Sequence, residues 1–254
     1  MYFDTHAHYD DAKFDADRME VLASMPEKGV ELIVNPGCDM PSSRMAVSFA
    51  EKFPFVYAAV GIHPQAADEF ADGDIAALRA LCESPRVRAI GEIGLEYYYE
   101  DGASREVQLK CLDAQMSLAR ELSLPVIFHD REATADSLDA VRRFPDVRGV
   151  MHCFSGSWET AKTLLDAGWY ISFTGNITFK NARKAPETAA KMPIDRLMIE
   201  TDSPYMAPVP FRGKRCDSSY LPYIAAKIAE VRGITAEEVA HAALMNGKRF
   251  YGIE

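Results

Sequence analysis

The chain has 254 residues, 48% hydrophobic and 26% charged, a balance expected of a soluble globular protein with material for a sizeable core. Its net charge of −10 argues against a protein that holds long nucleic acid by neutralising many phosphates, so any nucleic-acid substrate must be gripped locally. Five cysteines with no C-x-x-C pair are poor material for a disulfide framework, and no secretory segment or run of eighteen apolar residues appears, so a reducing cytoplasm and no membrane contact are expected.

In chain order, short β-rich runs recur at residues 1–4, 31–35, 56–61, 88–93, 124–128, 149–152, 169–173 and 196–200. Helical spacing separates them. It is clearest at 104–121, where Val107, Leu109, Leu112, Met116 and Leu118, with Leu122 just beyond, fall on one side. Strands that alternate with helices run parallel, and eight such units in about 250 residues is the arithmetic of a (β/α)₈ TIM barrel. A doubly wound open sheet is the rival, but no Gly-rich phosphate loop follows the first run. The last segment, 235–250, predicts an additional C-terminal helix capped by Thr235 with Glu238 three residues on. No repeat or linker divides the chain, so residues 1–254 are expected to be a single domain.

The first run leads into FDTHAHYD. Side chains alternate across a strand, so His6 and His8 project to the same side, where a metal could bridge them. Taken alone the pair is only suggestive. Glu92 lies in the apolar run RAIGEIGLE, where a carboxylate is costly to bury unless it is paired. His129 ends LPVIFH, His152 ends GVMH, and Asp202 follows LMIET. Any one of these reads as a hydrogen-bonded strand-end residue. Six together, at the strand ends where barrel chemistry collects, read as a site. Four imidazoles and two carboxylates exceed one tetrahedral ion and suit two divalent cations with Glu92 between them. Such a pair activates a water and clamps an oxygen of the scissile group, with Asp202 able to accept the water's proton.

FDTHAHYD, VGIHPQ, IGEIGLEYYY, PVIFHDREA, MHCFSG, ETDSPYMAP and NGKRFYG, in that order, resemble the TatD-type metal-dependent deoxyribonucleases. The resemblance implies an amidohydrolase-like barrel and hydrolysis of DNA phosphodiesters, often from a 3′ end. It also implies one ion on His6 and His8, another on His129 and His152, Glu92 bridging, and Asp202 completing the first and handling the proton. Two departures stand out: Glu96 where Asp is usual, and Cys216-Asp217 where Asn-Glu or similar is common. Both spare the six ligands and bear on loop geometry and substrate preference.

His63, in VGIHP, is expected to donate to a phosphate oxygen or to brace the site from below. Arg131 and the Arg212, Lys214, Arg215 cluster could hold phosphates, or be solvated surface. Among Tyr97, Tyr98, Tyr99, Phe154 and Trp158, packing is the commoner role, with base stacking by one at most. The acidic balance favours a single-stranded or frayed DNA end over long duplex as partner, and a monomer is expected. Ligand softness suits Zn²⁺, whereas the resemblance implies activity with Mg²⁺ or Mn²⁺. Two other readings stay open: a hydrolase of a small ester, amide or lactone on the same architecture, and a non-enzymatic binding protein stabilised by metal.

Overall fold

A computed structural model describes residues 1–71 and 73–254. Eight strands, β1 (Tyr2–Asp4), β2 (Val30–Pro36), β3 (Val56–Val60), β4 (Val87–Glu96), β5 (Val126–Arg131), β6 (Gly149–Met151), β7 (Tyr170–Phe173) and β8 (Leu197–Ile199), form one sheet in that order. Between and after them come α1 (Arg18–Ser24), α2 (Met40–Lys52), α3 (Asp74–Leu81), α4 (Arg105–Leu122), α5 (Thr134–Arg143), α6 (Trp158–Asp166), α7 (Lys184–Lys191), α8 (Leu221–Arg232) and α9 (Ala236–Tyr251). β8 returns beside β1: the Thr5 amide donates to the Ile199 carbonyl at 3.4 Å, and Ala7 bridges in parallel to Ser203. The fold is a TIM barrel with an added C-terminal helix, as the alternation of elements predicts.

The expected strand starts hold to within two residues, but β4 and β5 run three residues further than the apolar pattern suggested. Gly94 is the reason. Its φ of +143° is open to glycine, and a Cβ there would lie 2.0 Å from the His129 carbonyl oxygen, so only glycine lets β4 continue against β5. Pairing then extends through Gly94 to His129, Leu95 to Asp130 and Glu96 to Arg131.

Two compact units divide the chain. The first comprises residues 1–35, 153–165 and 170–254. In it α9 starts at a reciprocal Thr235–Glu238 capping box and lays Gly247 so close to Phe3 that a Cβ would come within 2.6 Å of the ring. Tyr251 donates to the Thr5 carbonyl at 2.9 Å, which ties the last helix to the segment leading into His6.

The second unit comprises residues 36–152 and 166–169. Ser104 caps α4, which buries Cys111, Leu112, Met116 and Leu118 on one face. Gln108 and Gln115, seven apart, share that face and are buried. Each clamps a strand end. The Glu96 amide donates to Gln108 Oε1 at 2.9 Å while Gln108 Nε2 donates to the Glu96 carbonyl at 2.8 Å. Gln115 does the same for Ile62, beside His63, at 2.7 and 3.0 Å.

Candidate metal centre

Within the first unit, His6 and His8 follow β1 and Asp202 follows β8. Their backbones are stitched together, with the Asp202 amide donating to the His6 carbonyl at 2.9 Å and the His8 amide to the Ser203 carbonyl at 2.7 Å. The two imidazole Nε2 atoms stand 2.9 Å apart, and each is 3.6 Å from Asp202 Oδ1. Asp202 holds this pose at φ +55°, a left-handed conformation that aspartate tolerates better than most residues.

Asp4 underpins the set. Fully buried, its carboxylate accepts from the Thr201 amide at 2.9 Å, the Thr201 hydroxyl at 2.5 Å and the His6 amide at 3.4 Å, so one side chain fixes both the His6 and the Asp202 segments. Burial pushes its pKa up to about 7, against the lowering pull of bonds from Ser218 and Thr201. Beyond His8, Asp10 Oδ1 lies 3.9 Å from His8 Nδ1 and accepts from Asn35 Nδ2 at 2.7 Å.

Within the second unit, Glu92 Oε1 meets His152 Nε2 at 2.8 Å, His129 Nδ1 at 2.9 Å and His63 Nε2 at 3.4 Å. Glu92 is only 3% exposed, so the imidazoles supply the polar partners that its apolar strand denies it. His129 Nδ1 and His152 Nε2 are 3.2 Å apart. The outer nitrogen of His129, Nε2, faces Glu96 Oε2 at 3.4 Å, and the Tyr98 amide donates to Glu96 Oε1 at 2.9 Å. Burial lowers the His129 pKa, but the bonds to Glu92 and Glu96 outweigh it and the net shift is upward. His63 goes the other way: burial takes it down to about 4, so it is neutral at pH 7. Because its Nδ1 accepts from the Gln65 amide at 3.2 Å, the ring proton sits on Nε2 and points at Glu92.

These donors fit divalent cations. Two ring nitrogens sharing one ion at about 2.0–2.1 Å, with an angle of about 90–110° between them, are about 2.8–3.4 Å from each other, and the 2.9 Å of His6/His8 and 3.2 Å of His129/His152 lie at that spacing. His63, Glu92 and His129 each offer a donor atom within 4.8 Å of the others.

The predicted phosphate and base contacts have distinct surroundings. Arg131 lies over the Tyr98 and Tyr99 rings, at 4.1 and 5.1 Å from their centroids, with Nη1 3.9 Å from Glu96 Oε2. Arg212 rests over Phe179 at 4.5 Å. Arg215 is engaged by both carboxylate oxygens of Asp17, at 2.7 and 2.6 Å. Tyr97 donates to Asp136 at 2.8 Å, and Phe154 is buried against Phe173. Sequence reasoning passed over Asp4, Asp10, Gln108 and Gln115, and saw Glu96 only as a departure. Asp4 ends an apolar strand, the same signal that singled out His152. The glutamines interrupt an apolar helical face at a seven-residue interval, which was equally visible.

A family model described as TatD related DNase matches residues 3–252. The chain is 41% identical over 255 residues to the metal-dependent hydrolase YabD of Bacillus subtilis, covering all of both chains. It is 33% identical to the 3′-5′ ssDNA/RNA exonuclease TatD of Erwinia tasmaniensis, over 99% of this chain and 100% of that one. Among solved structures, the TatD homolog YjjV of Escherichia coli superposes with a TM-score of 0.93 at 31% identity, over 100% of this chain and 98% of the other. Among the described residues, no helix is long and apolar enough to cross a membrane.

Proposed function

The chain belongs to the TatD related DNase family, and from that premise we propose that it is a metal-dependent phosphodiesterase removing nucleotides from single-stranded or frayed DNA ends, from the 3′ side. One observation carries the reading: a buried carboxylate oxygen, Glu92 Oε1, ringed by three imidazole nitrogens at 2.8, 2.9 and 3.4 Å. An arrangement of this kind has little purpose in an apolar core and suits a bridging ligand. The Erwinia relative's name, an exonuclease of single strands, supports the substrate class.

In this reading residues 1–254 act as one catalytic domain, monomeric, with two divalent cations per chain. His6, His8 and Asp202 would hold one ion and His129 and His152 the other, with Glu92 between, since all barrel strands present their carboxyl ends on the same face. Bound there, Mg²⁺ or Mn²⁺, or Zn²⁺ where it is available, would activate a water and neutralise charge on the scissile phosphate. Asp202 accepts the proton of the attacking water. Neutral His63 donates its Nε2 proton toward a phosphate oxygen, and Arg131 and Arg212 offer guanidinium donors to flanking phosphates. Arg215 could join them only by loosening its hold on Asp17.

The test is digestion of 5′- and 3′-labelled single strands across a metal panel. Shortening from the 3′ label is expected, with His6→Ala and Glu92→Gln each lowering kcat by about a hundredfold or more. Nuclease signal that survives both substitutions, or hydrolysis confined to small esters, amides or lactones, would overturn the reading.

A further inference from the structure

The loops that follow β7 and β8 are unlike the rest of this acidic chain. The loop after β7 with the first turn of α7, residues 174–186, and the loop after β8, residues 203–216, contain six Lys or Arg (Lys180, Arg183, Lys184, Arg212, Lys214 and Arg215) and no Asp or Glu, in a chain of net charge −10. The loops are joined side by side. The Val209 amide donates to the Thr178 hydroxyl at 2.8 Å, Arg212 lies 4.5 Å over the Phe179 ring, and a Cβ on Gly175 would come within 1.9 Å of the Met206 carbonyl oxygen.

Arg215 spends its charge on Asp17. The other five cations are exposed, and among the described residues none forms an ion pair. Elsewhere in the molecule some exposed cations find carboxylates, as Arg105 does with Asp136 and Arg143 with Asp113, whereas Lys52, Lys110 and Arg142 form no ion pair among the described residues but lie apart on separate helices. Five unneutralised like charges on two abutting loops repel one another, a cost that a line of phosphates would relieve. The carboxyl side of β7 and β8, where these segments emerge, is also where Asp202, a proposed ligand, lies.

We propose that this cationic ledge, Lys180, Arg183, Lys184, Arg212 and Lys214, binds the backbone phosphates of a single strand upstream of the end being hydrolysed. The proposal rests on the reading of the protein as a nuclease. It explains how a chain of net charge −10 holds a polyanion: the contact is confined to two loops, while the rest of the surface rejects long duplex.

The experiment measures binding of a fluorescent twelve-residue oligothymidylate against salt, alongside turnover of that strand and of a dinucleotide, whose single phosphate must occupy the catalytic site. Single-strand binding loses about 0.7 in logarithmic salt slope per cation removed. The triple variant Lys180→Ala, Arg183→Ala, Lys184→Ala should therefore flatten the slope by about two and raise KM for the long strand about tenfold. Its kcat/KM on the dinucleotide should stay at the wild-type value. A control triple on outer helices, Lys52→Ala, Lys110→Ala, Arg142→Ala, makes the same change in net charge and should leave the slope alone. Lys180→Glu with Lys214→Glu gives a second reading should the first triple melt early. Equal slopes for wild type and both ledge variants, or equal loss in the control, would overturn the ledge. Wild-type protein that turns over neither substrate yet keeps a ledge-dependent slope would instead overturn the nuclease reading and leave the ledge standing.

Discussion

Glu96 carries one methylene more than an aspartate would, and the added length has a use. Its Oε2 comes to 3.4 Å from His129 Nε2 while Oε1 takes the Tyr98 amide at 2.9 Å, and Gln108 holds its backbone from α4. A carboxylate behind a ligating imidazole fixes the ring's orientation and raises its basicity, so in the proposed centre Glu96 would be a positioning residue for His129. Burial raises the Glu96 pKa, but the bonds from His129 and Tyr98 and the nearby Arg131 lower it further, so it is ionised and acts as an acceptor. Glu96→Ala should weaken divalent-metal binding by about 10–100-fold in titration calorimetry, with Glu96→Gln giving part of that loss. Metal affinity unchanged in both variants would remove Glu96 from the site. The composition of this neighbourhood was legible residue by residue, because each ligand candidate breaks an apolar run. The contact was not: nothing local to GLEYYY tells which imidazole the Glu96 side chain reaches across the sheet.

The strands and helices were readable where one period dominates. Strands buried on both faces read as apolar runs, and the Thr235–Glu238 pair marked its helix start by satisfying amides that no earlier turn can reach, as Ser104 also does at α4. The predicted strand ends at residue 93, whereas β4 continues to Glu96 because glycine at 94 permits a close approach to β5. Gly94→Ala makes this concrete. It asks alanine to adopt φ +143° with its methyl 2.0 Å from the His129 carbonyl oxygen, so β4 must move away from the strand bearing His129, a proposed ligand. We expect a loss of about 2–4 kcal/mol in urea unfolding, with metal affinity falling as well. A variant as stable as the parent would mean that the extension of β4 matters little.

At the scale of the whole molecule, the acidic excess and the proposed ions act on one another. In one unit Glu92 Oε1 has three imidazole nitrogens at 2.8–3.4 Å, and in the other Asp202 Oδ1 has two at 3.6 Å, each a donor set that suits a cation. A cation that binds the folded chain and not the unfolded one adds stability by mass action, about 2.7 kcal/mol at a hundred times its Kd. For a chain of 254 residues, each kcal/mol moves Tm by about 2–4 °C, so saturation should raise Tm by about 5–10 °C over protein stripped with EDTA. The rise should vanish in a double variant, His6→Ala with Glu92→Gln, whose Tm is then insensitive to metal. Since only folding is read, the measurement needs no substrate and separates metal binding from nuclease action. Melting curves that coincide with and without Mg²⁺, Mn²⁺ and Zn²⁺ would mean that these histidines and carboxylates serve packing, and the hydrolytic reading would lose its foundation.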